Sequence, residues 1–134
     1  MENRVFSRIV VDIPSCIYVT LNDDTRLEIL GLIHNISASG IQIRISLDDY
    51  ADMVKKLCPG DVVGFQAVDE YKVINDERAD IIDGDGEVVW INSNENEIMF
   101  GCKVNNVNPE YLTYIKQKKL SLYFTGRHDI SISK

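Results

Sequence analysis

The chain has 134 residues, 45% of them hydrophobic and 26% charged, which is typical of one small domain with a single core. No stretch approaches the ~18 apolar residues that a membrane span requires, and the early apolar run Ile9–Val11 is too short for a signal peptide. The formal net charge is −7, and the sequence has no extended basic stripe. Both observations argue against a nucleic acid polymer as ligand. We therefore expect a cytoplasmic protein with no membrane partner.

The first half of the chain carries strand patterns and one helical pattern. Residues 11–21 predict a first strand and residues 26–33 a second, joined by a polar turn. Isoleucine alternates with polar residues over 41–46, which indicates a third strand with one buried face. Over residues 47–58 the apolar period becomes helical, with acidic residues in the first turn, lysines in the last and Pro-Gly afterwards. A short middle helix is expected there.

An acidic segment follows the next predicted strand. Residues 62–68 have a strand pattern, and residues 69–87 contain eight acidic and two basic residues. The rest of the chain holds 13 acidic and 12 basic residues and is therefore nearly neutral. A local pair of arginines outside this segment can dominate the electrostatic field around it.

A hairpin and a helix complete the predicted elements. A glycine turn at Gly84–Gly86 leads into a strand over residues 87–91, and a polar loop joins this strand to another over residues 98–104. Asn108-Pro109-Glu110 has the chemistry of a helix start, because Asn caps, Pro suits the first position and Glu favours the positive end of the dipole. A C-terminal helix is predicted over residues 108–124.

The cysteines and acidic residues form no recognisable reactive or metal-binding pattern. Cys16, Cys58 and Cys102 are odd in number and lack CxxC spacing, which favours reduced thiols. His34 could pair with a cysteine as base and nucleophile, but no nucleophile elbow or orienting partner accompanies them. Residues 83–86 hint at a calcium loop but lack the carboxylate ladder and final glutamate, so a hairpin turn is favoured. We expect no enzymatic activity, no metal and no cofactor.

Two short motifs carry the functional information. Arg4-Val5-Phe6-Ser7-Arg8 and Asn35-Ile36-Ser37-Ala38-Ser39-Gly40 are separated by 26 residues. A guanidinium is a charged fork that fits phosphate oxygens or the O6/N7 edge of guanine, while Asn and Ser side chains can meet an edge of mixed polarity. Taken singly, the first motif is also typical of a solvated arm and the second of an ordinary strand connection closed by glycine.

The two motifs in this order and at this spacing resemble those of the PilZ family of cyclic di-GMP receptors. Gly86-Glu87-Val88-Val89-Trp90 followed by Phe100-Gly101-Cys102-Lys103-Val104 adds to the resemblance, which covers residues 4–124. It implies a mainly β fold: an antiparallel six-stranded PilZ-like β-barrel with a short middle helix and a C-terminal helix. We expect one domain over residues 1–124, with an arginine arm over 1–10, the barrel over 11–106, the helix over 108–124 and a flexible tail over 125–134.

The resemblance also implies a ligand and the residues that bind it. The two arginines would bind phosphate oxygens and guanine Hoogsteen edges of cyclic di-GMP, and Asn35 and Ser37 would contact a guanine from the barrel side. His34 could border the ligand, although such a residue more often makes only a local hydrogen bond. Trp90 is explained equally by core packing and by stacking on a base. The expected contacts are Arg4, Arg8, Asn35, Ser37, Ser39 and Gly40, with Val5, His34 and Trp90 in a second tier.

The mechanism implied is an ordering transition. An arginine arm that is loose without ligand would fold over the nucleotide and alter a surface that an unidentified downstream protein binds. One alternative is a degenerate PilZ-like domain that binds protein and no nucleotide, which the intact motifs disfavour. A small barrel that binds single-stranded RNA is a second alternative, disfavoured by the acidic balance.

The charge of the motif predicts the stoichiometry. Some PilZ domains carry an additional arginine directly before RxxxR, which helps to hold two intercalated nucleotides, whereas this chain has Asn3 there. Two nucleotides bring four negative charges against two arginines, so one nucleotide per chain is expected unless another basic residue lies close. The candidates for such a residue are Arg44, Lys103 and Arg127.

Overall fold

A computed structural model describes residues 8–21, 24–47, 56–73 and 76–120, without the side chains of 70–73 and 76–79. Six antiparallel strands form a closed barrel in the order β1-β2-β3-β6-β5-β4. A C-terminal helix occupies residues 109–120. The predicted six-stranded antiparallel barrel with a C-terminal helix is confirmed. The strands are β1 (Ile9–Thr20), β2 (Arg26–Ile36), β3 (Gly40–Ser46), β4 (Val62–Val73), β5 (Asp76–Ser93) and β6 (Glu97–Val107).

The barrel interior is filled by β-branched and aromatic side chains. In β3 the three isoleucines that alternate with polar residues, Ile41, Ile43 and Ile45, are all almost fully buried. Branched side chains suit a pleated strand, and the period of two sends every second residue to the interior. Phe65 of β4 and Phe100 of β6 are buried in the same core cluster. The alternation therefore tells which side chains face inward and which face outward.

The C-terminal helix packs across the barrel with a buried tyrosine-rich face. Tyr111, Tyr114 and Ile115 are buried, and the ring of Tyr111 lies 6.0 Å from that of Phe65. The Asn108 side chain fastens the helix start to β5, because its Oδ1 accepts from the Asp83 amide at 3.2 Å and its Nδ2 donates to the Ile81 carbonyl at 2.8 Å. The helix is thus held by both packing and polar contacts.

The predicted turn at Gly84–Gly86 is wrong. These residues lie within β5, which runs on through the acidic segment and pairs with β4 from Val62↔Glu87 to Val73↔Asp76. A β-carbon on Gly84 would collide with the Asn106 carbonyl oxygen, and one on Gly86 with that of Lys103. The glycines therefore permit a close approach of β6 to β5, where the register also shifts.

A separate middle helix is not shown. Most of the predicted range, residues 48–55, lies outside the described residues, as does the predicted tail over 125–134. The two apolar residues near the ends of that range, Leu47 and Leu57, are buried in the core.

Within the described ranges, no helix is long and apolar enough to cross a membrane. The same part of the chain contains no group of three or more His, Cys, Asp or Glu side chains arranged to hold a metal ion. Cys16, Cys58 and Cys102 are unpaired thiols, and burial raises the pKa of Cys102 to about 12.

Candidate ligand-binding site

An irregularity that widens across three strands shapes the site. The regular pairing of β1, β2 and β3 is interrupted at one level of the barrel. At that level β3 has no extra residue, β2 has one unpaired residue (His34) and β1 has two (Val11 and Asp12). Asp12 has a φ of 47°, in the left-handed region that Asp tolerates better than most residues. The Oδ1 atom of Asp12 lies 2.6 Å from Nδ1 of His34, so a side-chain bond joins β1 to β2 across the bulge. His34 thus makes the local bond that was one of its two interpretations.

The extra residue in β2 changes the side that Asn35 faces. Ile33 and Ile36 are both completely buried in the core, although Ile36 follows Ile33 by three positions, an odd number. Alternation of side chains along a strand would send one of them outward, so the bulge has shifted the phase. Asn35 consequently lies on the outer face of the barrel, immediately beside His34.

The first strand brings the end of the arginine motif to the second motif. Ile9 pairs with Ile36 and Val10 with Asn35, so Arg8 directly precedes a residue opposite the second motif. Arg8 is exposed. Arg4 and Val5 lie outside the described residues.

Ser37 and Gly40 close the turn between β2 and β3. The Ser37 amide donates to the Gly40 carbonyl at 2.8 Å, and the Gly40 amide donates to the Ser37 hydroxyl at 3.1 Å. The Ser37 hydroxyl is also 3.2 Å from the Gly40 carbonyl, so it serves the turn from a buried position. A β-carbon on Gly40 would lie 3.0 Å from the Cys102 carbonyl oxygen, which explains the glycine. The exposed Ser39 accepts a bond from the Val104 amide with its carbonyl, at 2.9 Å.

The helix contacts this turn directly. The hydroxyl of Tyr111 donates to the Ser37 carbonyl at 2.6 Å, and burial raises the pKa of Tyr111 well above its usual range. The neutral, donating hydroxyl is therefore the stable form, and the turn that carries the second motif is bonded to the C-terminal helix.

Asn35 is buried but incompletely satisfied. Its Nδ2 donates to Oε1 of Gln42 in β3 at 2.7 Å, whereas its Oδ1 has no hydrogen-bond partner among the described residues. Buried polar atoms are nearly always paired, so this oxygen is an unused acceptor on the outer side of β2.

A row of outward positions crosses the barrel from Asn35. Gln42 lies beside Asn35 in register, Gly101 beside Gln42, and Trp90 beside Gly101. A β-carbon on Gly101 would collide with Nε1 and Cε2 of Trp90, which means that the indole lies across the glycine. With strands ~4.8 Å apart, the row spans roughly 14 Å. We call these four positions the transverse row; in it Trp90 is half-buried on the outer surface rather than part of the core.

One of the basic side chains near the transverse row is paired with a carboxylate. Arg44, two residues after Gln42, forms a forked ion pair with Glu97, with N···O distances of 2.9 to 3.2 Å. Lys103 lies opposite Gly40 on one side and Glu87 on the other. Arg127 lies outside the described residues.

The sequence did not single out Gln42, Gly101, Asp12 or Tyr111 as parts of this site. For Gln42 a signal exists, because it is the first outward position after Gly40 in the isoleucine alternation. The contribution of Asp12 depends on a bulge that no local pattern indicates.

Comparison with known proteins identifies the family. The sequence profile of the PilZ domain matches residues 2–120. The chain therefore belongs to the PilZ domain family. No curated protein sequence matches the chain.

Solved structures share the fold. The Bacillus subtilis inhibitor of motility (MotI/DgrA) superposes with a TM-score of 0.60 at 15% identity, covering 90% of this chain and 53% of its own. The PilZ domain of Escherichia coli YcgR with c-di-GMP gives a TM-score of 0.57 at 14% identity over 97% of this chain and 98% of that one. The YcgR complex with c-di-GMP gives 0.56 at 13% identity, over all of this chain and 52% of that one. The chain thus spans about half the length of two of these three structures.

Proposed function

We propose that this protein is a cyclic di-GMP receptor without chemistry of its own, which passes the level of the nucleotide to a downstream protein in the bacterial cytoplasm. Family membership supports a receptor role, and two of the structural neighbours are complexes with c-di-GMP. The free thiols among the described residues agree with a reducing compartment.

The observation that carries the proposal is the unsatisfied Oδ1 of Asn35 beside the end of the arginine motif. Guanine offers donors at N1 and N2, which can pair with this oxygen, and acceptors at O6 and N7, which suit an arginine fork. The indole of Trp90 lies on the same outer face and offers a surface for stacking. Charge, hydrogen bonding and stacking are thus available within one region.

The signal in this proposal is an ordering of the arginine arm. Arg8 is exposed and forms no ion pair with the described side chains, so its guanidinium is available to a phosphate. Binding would draw the residues before β1 over the nucleotide and onto the barrel, and the covered surface would then differ for a protein partner.

Calorimetric titration of the whole chain with cyclic di-GMP and cyclic di-AMP tests the proposal. We expect binding of the first and weaker binding of the second, because adenine replaces the O6 acceptor with an N6 donor that faces the arginine donors. Arg4→Ala and Arg8→Ala should each weaken binding by roughly 1–3 kcal/mol with little change in the melting temperature. Arg26→Ala is the matched control, since Arg26 is an exposed arginine at the far end of β2.

The outcomes separate the alternatives. Equal affinity for the two nucleotides would remove the guanine-edge assignment. A wild-type chain that binds neither nucleotide would favour the degenerate protein-interaction domain. A large drop in the melting temperature of Arg8→Ala would make that arginine structural.

A further inference from the structure

The side chains of Asn35 and Gln42 form an amide pair across β2 and β3. Their hydrogen bond of 2.7 Å uses one polar atom of each amide. The other atom of Asn35 is buried and unpaired, and the other atom of Gln42 has no partner among the described residues. Exchanging O and N in both amides reverses the bond but leaves the same two positions unpaired. The pair therefore always offers one donor and one acceptor side by side.

Gln42 lies outside both sequence motifs, yet it is placed for contact with a ligand. It occupies an outward position of β3 between Asn35 and Gly101, and the Trp90 indole covers Gly101 on the same face. Directly opposed side chains of neighbouring strands have β-carbons about 5 Å apart. The unpaired oxygen of Asn35, which is itself buried, and the unpaired nitrogen of Gln42 thus belong to neighbouring positions of the row that leads to the Trp90 indole.

We propose that Gln42 is a specificity-determining residue for guanine, an inference that rests on the proposed function. With the amide orientation of the structure, the Asn35 oxygen accepts from guanine N2–H and N1–H, and the Gln42 amide nitrogen donates to O6. O6 has two lone pairs, so this contact is compatible with an arginine bound to the same oxygen. In this orientation Gln42 occupies Nδ2 of Asn35 and leaves the Asn35 oxygen as the acceptor.

This arrangement makes the 2-amino group of guanine part of the recognition. The inosine analogue of cyclic di-GMP lacks that group and keeps O6 and N1–H. A site with a buried acceptor aimed at the amino group should discriminate against the analogue, because the acceptor would lose a partner that water cannot fully replace.

The test compares two substitutions at Gln42 by calorimetric titration of the whole chain. Gln42→Met removes both hydrogen bonds at similar size and leaves Asn35 able to turn over. We expect about a 10-fold loss of affinity for cyclic di-GMP and a preference over the inosine analogue that falls towards one. Gln42→Glu can still accept from Asn35 Nδ2, so it should bind cyclic di-GMP more weakly but keep the preference over the analogue.

Gln66→Met is the matched control. Gln66 is an exposed, outward glutamine in β4, and its replacement should change neither affinity nor preference. Melting temperatures establish that each variant is folded. If Gln42→Met does not fold, Gln42→Glu decides the question: weaker binding of cyclic di-GMP with the preference retained supports the role of Gln42, and unchanged affinity overturns it.

The failure of this inference differs from the failure of the proposed function. If the wild-type chain does not bind cyclic di-GMP, the proposed function fails and the inference fails with it. If the wild-type chain binds and Gln42→Met binds equally well with the same preference, only the role of Gln42 is overturned. Equal preferences in Gln42→Met and Gln42→Glu, at reduced affinity, would also overturn it, because the effect would then not pass through Asn35.

Discussion

At the scale of single residues, Tyr111 joins the C-terminal helix to the turn of the second motif. Its hydroxyl donates to the buried Ser37 carbonyl at 2.6 Å. Tyr111→Phe would leave that carbonyl without its donor while keeping the ring in place. We expect a loss of ~1–2 kcal/mol in the free energy of unfolding, measured by urea denaturation. Tyr18→Phe, which removes a hydroxyl from an exposed ring, should change it little; an equal loss in both variants would argue against a special role for the buried bond.

The buried thiol of Cys102 predicts an alkaline pH dependence. Burial raises its pKa from 9.0 to about 12, so the folded chain holds this proton more tightly than the unfolded chain. The contribution to stability is therefore complete below pH 9.0 and is lost as the pH rises towards 12. Tyr111 shifts in the same direction.

We expect the melting temperature to fall in this range and to fall less steeply in Cys102→Ala. The comparison uses slopes with pH, since the substitution also removes core volume. Cys16→Ala, at a half-exposed position, should keep the wild-type slope. Identical slopes in all three proteins would mean that Cys102 ionisation does not limit alkaline stability.

The sequence predicted which residue types surround the site better than it predicted their partners. The Asn35 to Gly40 motif shows the turn, and Gly40 indeed stands where a β-carbon would crowd the Cys102 carbonyl. The pairing of Asn35 with Gln42 could not be predicted, because it depends on the phase shift at His34, and that shift exists only in the register of three strands.

At the scale of secondary-structure elements, the crossing of the Trp90 indole over Gly101 links β5 to β6. Gly101→Ala places a methyl group where the indole lies, and the side chain can swing away without breaking the strand pairing. If a base stacks on the indole, binding of cyclic di-GMP should weaken by roughly 1–3 kcal/mol while the barrel stays folded. Trp90 is the only tryptophan of the sequence, so a shift of its fluorescence reports the displacement directly.

Gly64→Ala is the control for this experiment. Gly64 is also an outward glycine, but its β-carbon would meet Tyr18 at 3.6 Å, an ordinary contact. We expect unchanged binding there. Unchanged binding in Gly101→Ala despite a fluorescence shift would exclude Trp90 from the ligand contacts.

The isoleucines of β3 and the glycines of β5 show why one element was predicted correctly and the other was not. The isoleucine alternation of β3 defines its inward face without any knowledge of neighbouring strands. Glycine spacing at residues 84–86 looks like a turn in the sequence, but in the barrel the same property permits two backbones to approach closely. Local patterns cannot separate these two uses, since the second depends on β6, about twenty residues further along the chain.

At the scale of the whole molecule, charge predicts the number of bound nucleotides. The forked ion pair of Arg44 with Glu97 occupies one of the cations that could have assisted the arginine motif. Lys103 lies in register with Glu87. We therefore expect one cyclic di-GMP per chain, because two nucleotides would bring four negative charges to a site with few unmatched cations. Calorimetry on a quantified protein stock gives the ratio, and a plateau at two nucleotides per chain would show that another cation joins the site.

The bond between Tyr111 and Ser37 has a thermodynamic consequence, since it joins the helix to the backbone of the turn. If docking of the helix on the turn strengthens nucleotide binding, then nucleotide binding must strengthen the docking of the helix by the same free energy. Reciprocity of this kind needs no displacement of the barrel strands. A downstream protein that binds the helix would therefore change the affinity for the nucleotide by the same factor as the nucleotide changes the affinity for that protein.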